Sequence, residues 1–460
     1  MKKRLLLAAL LTAMLSAGCS TLSNNSANHQ QQAPGSTYEY QLDNGMKVFV
    51  KEDRRAPVVA AMVWYKVGSS YEYDGITGVS HVLEHMMFKG TDKHAPGEFS
   101  RIIAENGGRE NAFTSSDYTA YFQRLHKDRL EISLELEADR MRGMKVLDEE
   151  FAKEIKVVME ERRMRTEDKP ESLTYEAFQA AAFVTSPYHW PVIGWMNDLE
   201  NMNAQDIRDW YQTWYAPNNA SLVVVGDVDP QHVYALAKKY FAPLEPGVIT
   251  PPKPRLEVEQ RGERRIRIKA PAELPYLLMG YKAPRITGAK DEWEPYALAV
   301  LSSILDGGNS ARFAKNLIRG QQVAASAGAG YRPFSRMDTL FMFDGNPAQG
   351  HDIEALEAAI RKQIVDVQSE LVSDDELARI KAQVIAAEIY EKDSVFYQAM
   401  QIGSLETIGL DWRLGKQYAD KIKQVTAEQV REVAQKYLVE DQLTVAVLEP
   451  LPLDEQKSDH

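Results

Sequence analysis

The chain of 460 residues contains a single cysteine, Cys19, so no disulfide can form within it and its stability has to come from packed apolar side chains. An excess of basic residues is also missing. The 54 Lys and Arg stand against 66 Asp and Glu, a formal net charge of −12. Nucleic acid is bound through a basic face, so this balance argues against it; a solvated acidic surface is the plain reading. The apolar run near the start, Leu5 to Leu15, is well short of the roughly 20 residues that a membrane-crossing helix needs. What remains, 44% apolar and 26% charged, is ordinary globular composition with material for two or more cored domains.

The first residues have the grammar of an export signal: Lys2, Lys3 and Arg4, then the apolar run, then the small residues Ser16, Ala17 and Gly18. Leu15-Ser16-Ala17-Gly18-Cys19 resembles a lipobox, with the leucine one place further upstream than in the commonest form. That resemblance makes residues 1–19 a lipoprotein-type signal peptide ending at Cys19, the residue to be lipidated. Ser20, rather than aspartate, follows it, which implies an outer-membrane lipoprotein facing the periplasm and held to the membrane by its lipid. Cleavage without acylation would instead give a soluble periplasmic protein. Residues 20–37, rich in Ser, Asn, Gln and Ala, have almost nothing to bury and are expected to be a flexible tether.

Folded structure is expected from residue 38. Tyr38 to Leu42 and Met46 to Val50 flank Asp43-Asn44-Gly45, a hairpin signal, and Val58 to Val67 reads as a buried strand. A helix carrying His81 to Met87 follows and ends near Gly90. Prolines concentrate again between Pro243 and Pro254, which sets a boundary there. The expected organisation is a first domain over 38–245, a linker over 246–260, a second domain over 261–450 and a tail over 451–460. The halves read as copies of one unit. Asn203-Ala204-Gln205-Asp206-Ile207-Arg208 followed by Leu222 to Val225 is echoed by Thr426-Ala427-Glu428-Gln429-Val430-Arg431 followed by Leu443 to Val447, and Tyr65-Lys66 is echoed by Tyr281-Lys282. Strands and long helices alternate in blocks, which predicts an α+β fold: two homologous α/β sandwiches, each a mostly antiparallel sheet with helices packed against it. The repeat is far longer than the roughly 20–50 residues of a solenoid.

The chemistry concentrates in His81-Val82-Leu83-Glu84-His85. A lone histidine on a helix is usually structural, but here two imidazoles fall one turn apart on one face and can reach one ion, with Glu84 projecting close to it. A zinc ion usually takes three protein ligands plus water in a catalytic site. The expected helix from Glu149 to Arg165 can supply the third. Glu154 and Glu161 share a face two turns apart, whereas Glu160 is rotated by about 100° from Glu161. Glu161 is therefore the expected ligand and Glu154 a carboxylate behind it that tunes the site. One zinc per chain is expected. Glu84 is placed to take a proton from water that the metal has made acidic, and the order HxxEH is that of the inverted zincins. Carried to the second half, the same spacing falls on Ala297, Val300 and Leu301, so that half is expected to keep the scaffold without the metal.

The sequence resembles the M16 peptidase family, which includes pitrilysin, mitochondrial processing peptidase and insulin-degrading enzyme, over nearly all of the chain after the tether. The resemblance rests on the stretches from Gly78 to Thr91, Asn111-Ala112-Phe113-Thr114 with Thr119 and Tyr121, Glu154 to Glu161, Pro191-Val192-Ile193-Gly194, and Tyr215 to Ala220 leading to Gly226-Asp227-Val228. It implies a zinc endopeptidase for short or unfolded peptides, with ligands His81, His85 and Glu161, base Glu84 and auxiliary acid Glu154. It further implies that Asn111, Ala112, Phe113 and Thr114 form an edge strand that binds extended peptide by strand addition. Arg319 matches an arginine that holds substrate in related enzymes, but the companion tyrosine falls on Ala325 or Ser326, and Tyr331 lies too far along. The chain resembles the short members of the family, which close a chamber by pairing two chains. A homodimer, or a heterodimer with a sister subunit supplying the Arg/Tyr pair, is expected. Some members of the family have lost catalysis, so a scaffold or assembly subunit is the alternative.

Overall fold

The computed structural model describes residues 36–453. The expected signal peptide, Cys19 and nearly all of the expected tether lie outside the described residues, as do residues 454–460. Among the described residues no helix is long and apolar enough to cross a membrane.

The expected hairpin forms from β1 (Thr37–Gln41) and β2 (Lys47–Glu52), with Tyr40 opposite Val48. Its turn needs Gly45, which adopts φ +90°. The apolar run becomes β3 (Val58–Tyr65), which β5 (Thr119–His126) and β6 (Ala220–Gly226) flank on either side. Ala61, Val63 and Tyr65 point into one core and Ala60, Met62 and Trp64 into another. A strand covered on both faces has no need of alternation, which is why it reads as continuous apolar sequence. β4 (Arg109–Thr114) pairs only with β5, so the first sheet runs β1-β2-β6-β3-β5-β4 with β4 at a free edge.

The second sheet is built from β7 (Arg264–Pro271), β8 (Tyr276–Ala283), β9 (Ala324–Tyr331), β10 (Thr339–Pro347) and β11 (Leu443–Leu451), in the order β7-β11-β8-β10-β9. Apart from β1, this is the order of the first sheet. Even the pairing agrees, since β2 with β6 and β7 with β11 are the parallel pairs and the other pairs are antiparallel. The fold is two homologous α/β sandwiches, as the internal echoes imply. The helix after β8, Glu294–Asp306, carries Ala297, Val300 and Leu301, all with no exposed surface. Those positions are packed core.

The halves interlock by exchanging helices. Val395–Thr407, from the second half, covers the outer face of the first sheet, where Ala399 and Ile402 join Met62 and Trp64 in one cluster. Gly403 is required at that contact, because a Cβ there would lie 2.1 Å from the Trp64 ring. Pro170–Ala182, from the first half, covers the second sheet in the same way through Phe178, against which a Cβ on Gly280 would come within 2.7 Å. Each sheet therefore depends on the other half to bury one of its faces.

Candidate metal centre

The His81 helix spans Val79–Met86. It begins at Gly78, whose φ of +88° no β-branched residue would adopt cheaply, and a Cβ there would lie 2.6 Å from the Ile193 carbonyl oxygen. Opposite it Gly194 has φ +85°, and its Cβ would lie 2.3 Å from the Thr77 carbonyl oxygen. Two glycines thus let the 191–194 turn pack backbone to backbone against the start of the helix. The Glu72 carboxylate completes the start by accepting the N–H groups of Gly78 at 2.7 Å and Ser80 at 2.9 Å. Burial pushes Glu72 up to about 8 despite those bonds. Val82, Leu83 and Met86 anchor the opposite side of the helix in the core.

The acidic helix spans Asp148–Arg162 and continues into a π turn at Arg163–Glu167. It brings Glu161 Oε2 to 3.6 Å from His81 Nε2 and 3.3 Å from His85 Nε2, and one ligand atom from each residue lies within 4.8 Å of the others. Zinc with bonds of about 2.0–2.1 Å sets tetrahedral ligand atoms about 3.3–3.4 Å apart. The two edges that meet at Glu161 are close to that. Glu161 Oε2 is buried without a hydrogen-bond partner, which suits an oxygen whose partner is an ion, while Oε1 accepts from Arg165 Nε at 2.9 Å. Burial, followed by the charges of His85 and Arg165, pushes His81 down to about 3, keeping it in the neutral form that ligates metal. The donor set and its spacing fit zinc.

The other carboxylates take distinct places. Glu154 Oε1 meets His85 Nδ1 at 2.9 Å and its Oε2 meets Lys89 Nζ at 2.5 Å. That bond orients the ring with Nε2 towards the cluster. Burial opposes charge on His85, but the Glu154 hydrogen bond and the charges of Glu161, Glu154 and Glu84 outweigh it and raise the imidazole. Burial also works against charge on Glu154, where the bonds from His85 and Lys89 win and the carboxyl is lowered. Glu84 is raised by burial, with the Thr114 hydroxyl, donating to its Oε2 at 2.5 Å, pulling the other way.

Thr114 ends the edge strand β4. Ala112 packs towards the His81 helix, whereas Phe113 turns to the other face and meets Trp64 edge-on at 5.5 Å; Asn111 is exposed and its Oδ1 accepts the Ala112 N–H. A cavity of ≈ 890 Å³ opens over His81, Glu84, His85, Glu161 and residues 111–114. Arg319 lies apart. It sits on the π-type helix Phe313–Gly320, exposed, with Nη2 donating to the Asn309 carbonyl at 2.6 Å, and neither it nor positions 325–326 line this cavity. The Tyr331 hydroxyl is bound to the Pro284 carbonyl.

Three residues around the cluster escape the sequence reading. Besides Glu72 these are Arg162 and Glu176. Arg162, almost wholly buried, donates from Nη1 to the Gly194 carbonyl at 2.8 Å and forms a two-pronged pair with Glu176 at 2.7 and 2.8 Å. The turn that packs on Gly78 thereby also grips the acidic helix one residue past Glu161. Gly194 was visible within Pro191-Val192-Ile193-Gly194; nothing in the sequence distinguishes Arg162 from the solvated arginines beside it.

Known proteins resemble this chain in sequence and in fold. The family description "Insulinase (Peptidase family M16)" matches residues 47–194, and "Peptidase M16 inactive domain" matches residues 201–384. The zinc protease PqqE of Helicobacter pylori is 36% identical over 352 residues, covering 74% of this chain and 76% of that one. YmxG of Bacillus subtilis, described as an uncharacterized zinc protease, is 24% identical over 411 residues, covering 89% and 98%. The crystal structure of a protease from Helicobacter pylori superposes with a TM-score of 0.86 at 31% identity, covering 90% of this chain and 100% of that one. The chain spans 48% of the periplasmic protease PqqL of Escherichia coli, a likeness of fold at 19% identity and a TM-score of 0.76. These matches define a two-domain bacterial peptidase fold. The chain belongs to peptidase family M16.

Proposed function

We propose that the protein is a zinc endopeptidase that cuts short or unfolded peptides, with His81, His85 and Glu161 holding one zinc ion. The observation that carries this reading is the approach of Glu161 Oε2 to both imidazole Nε2 atoms, 3.6 and 3.3 Å. When bound there, zinc supplies Lewis acidity that lets water lose a proton near neutral pH and polarises a peptide carbonyl. Glu84 takes the proton from the attacking water and hands it to the departing amine; its raised affinity for protons suits both transfers. Thr114 fixes the Glu84 carboxylate, Glu154 fixes His85, and Asn111 to Thr114 receive the peptide backbone along the open edge of β4.

In this reading a second chain, a copy or a sister subunit, closes the chamber, and the sister subunit supplies the arginine and tyrosine that contact substrate, since Arg319 of this chain lies outside the metal cavity. The protein acts in the periplasm, tethered to the outer membrane through Cys19. Substituting Glu84→Gln tests the chemistry: zinc content by elemental analysis should stay at the parent level while cleavage of a quenched peptide is almost abolished. Equal turnover by mutant and parent would reject Glu84 as base. A scaffold role is the second reading, favoured by the "inactive domain" description over residues 201–384; full zinc with no hydrolysis of any peptide, alone or with partner, would support it.

A further inference from the structure

A second cavity, ≈ 710 Å³, adjoins the metal cavity, and Tyr175, Glu176, Pro191, Val192 and Tyr276 line both. It is reached from the edge strand through Ser115 and Ser116, the residues that follow Thr114. A peptide lying along β4 therefore has a continuous path from one cavity into the other, and the second one is enclosed by residues of both halves.

Its carboxylates differ in how they are used. Asp117 is fully engaged, by Arg336 Nε at 3.2 Å, the Tyr188 hydroxyl at 2.5 Å and Ser70 Oγ at 3.1 Å. Glu176 is held by Arg162 at 2.7 Å. Asp344 is different. It stands on β10 opposite Gly328 of β9, and a Cβ on that glycine would lie 2.6 Å from Asp344 Oδ1. The Tyr276 phenol stands beside it, its charged neighbour is another acid, Asp306, and among the described residues no Lys or Arg pairs with it. Arg332 also lines the cavity but is exposed and stands beside Tyr118. Burial, partly offset by the Tyr276 phenol and reinforced by Asp306, holds the Asp344 carboxyl above the usual carboxylate range. Such an acid gains from an incoming cation, and the aromatic walls add a surface on which an alkyl stem and its charge both rest favourably.

We propose that this second cavity is an extension subsite of the peptide cleft that takes a lysine or arginine side chain of the substrate, with Asp344 as its counter-ion. The proposal rests on the reading of the adjoining metal centre as a peptidase. It makes the protein selective for peptides bearing a cation at one fixed distance from the cut.

The test is a set of quenched peptides of one sequence, with lysine placed at each position in turn and compared with acetyl-lysine, which keeps the length and loses the charge. At one position kcat/KM should be roughly tenfold higher for lysine, mostly through KM, more than an exposed ion pair would give. Asp344→Asn should bring that ratio close to one. Gly328→Ala, which crowds Asp344 from the neighbouring strand, should lower it too and serves if Asp344→Asn does not fold. A parent ratio near one at every position, or a ratio kept by both variants, overturns the proposal. If no peptide is cut at all, the peptidase reading has failed instead. Fluorescence anisotropy of the lysine and acetyl-lysine peptides on the Glu84→Gln protein then decides the subsite: tighter binding of the lysine peptide, lost with Asp344→Asn, upholds it, and equal binding refutes it.

Discussion

Arg162→Met is the substitution that most sharply separates fold from function. The guanidinium joins the acidic helix to the Gly194 carbonyl at 2.8 Å and to Glu176 at 2.7 and 2.8 Å, and removing it strands the Glu176 carboxylate, itself mostly buried. Breaking one side of a buried pair costs about 3–5 kcal/mol, whereas removing both sides is often nearly neutral. The single variant should therefore lose about that much stability to urea, and Arg162→Met with Glu176→Gln should regain most of it. Zinc affinity should not follow. Without the link to Gly194 the helix carrying Glu161 is free to shift relative to the one carrying His81 and His85. Changes of this kind behind a metal ligand weaken binding about 10–100-fold. Competition with a chromophoric chelator measures that directly. If the double variant recovers stability and binds zinc as tightly as the parent, the Gly194 link does not set the ligand spacing.

Three further outcomes are expected. In the proposed mechanism Glu84 works as the carboxylate, and it sits above its ordinary value of 4.5, so kcat/KM should fall as the pH drops through that raised value; Thr114→Val removes a bond that favours the carboxylate and should move this acid limb to higher pH, Thr114→Ser should restore it, and an unmoved limb would refute the contact. Glu154→Gln should weaken zinc binding about 10–100-fold in the same chelator assay, because His85 loses the acceptor that orients its ring. Glu72 binds its proton more tightly folded, at about 8, than at its ordinary 4.5, so its contribution to stability is complete below the lower value and is lost as pH rises through the higher one; denaturation across that window should be flatter for Glu72→Gln than for the parent.

How much of this was legible in the sequence depended on whether the signal was local. The His81 to His85 pattern lies within two turns of one helix, and β3 announces itself because burial on both faces leaves an unbroken apolar run. The echo of Tyr65-Lys66 in Tyr281-Lys282 was enough to align the halves, and the structure gives both sheets the same strand order. The helix exchange was not legible. The apolar residues of Pro170–Ala182 and Val395–Thr407 say that a face is buried, but not that Phe178 meets Gly280 or that Gly403 meets Trp64 in the opposite half. Buried charge was invisible for a related reason. Arg162, Glu176 and Glu72 have the composition of surface residues, and only tertiary contacts make them interior, Arg162 and Glu176 beside the 191–194 turn and Glu72 beneath the start of the His81 helix. Asp344 belongs with them, since only the pairing of β10 with β9 and the packing of the two halves set it in a cavity.

The proposed zinc site requires Glu161, and not its neighbour Glu160, to join the two histidines on one ion. Zinc per chain, measured by elemental analysis after dialysis, tests it most directly in the parent, Glu161→Ala and Glu160→Ala proteins. One zinc in the parent and in Glu160→Ala, with little or none in Glu161→Ala, is the predicted result; a full zinc complement in Glu161→Ala, or its loss in Glu160→Ala alone, would contradict the account.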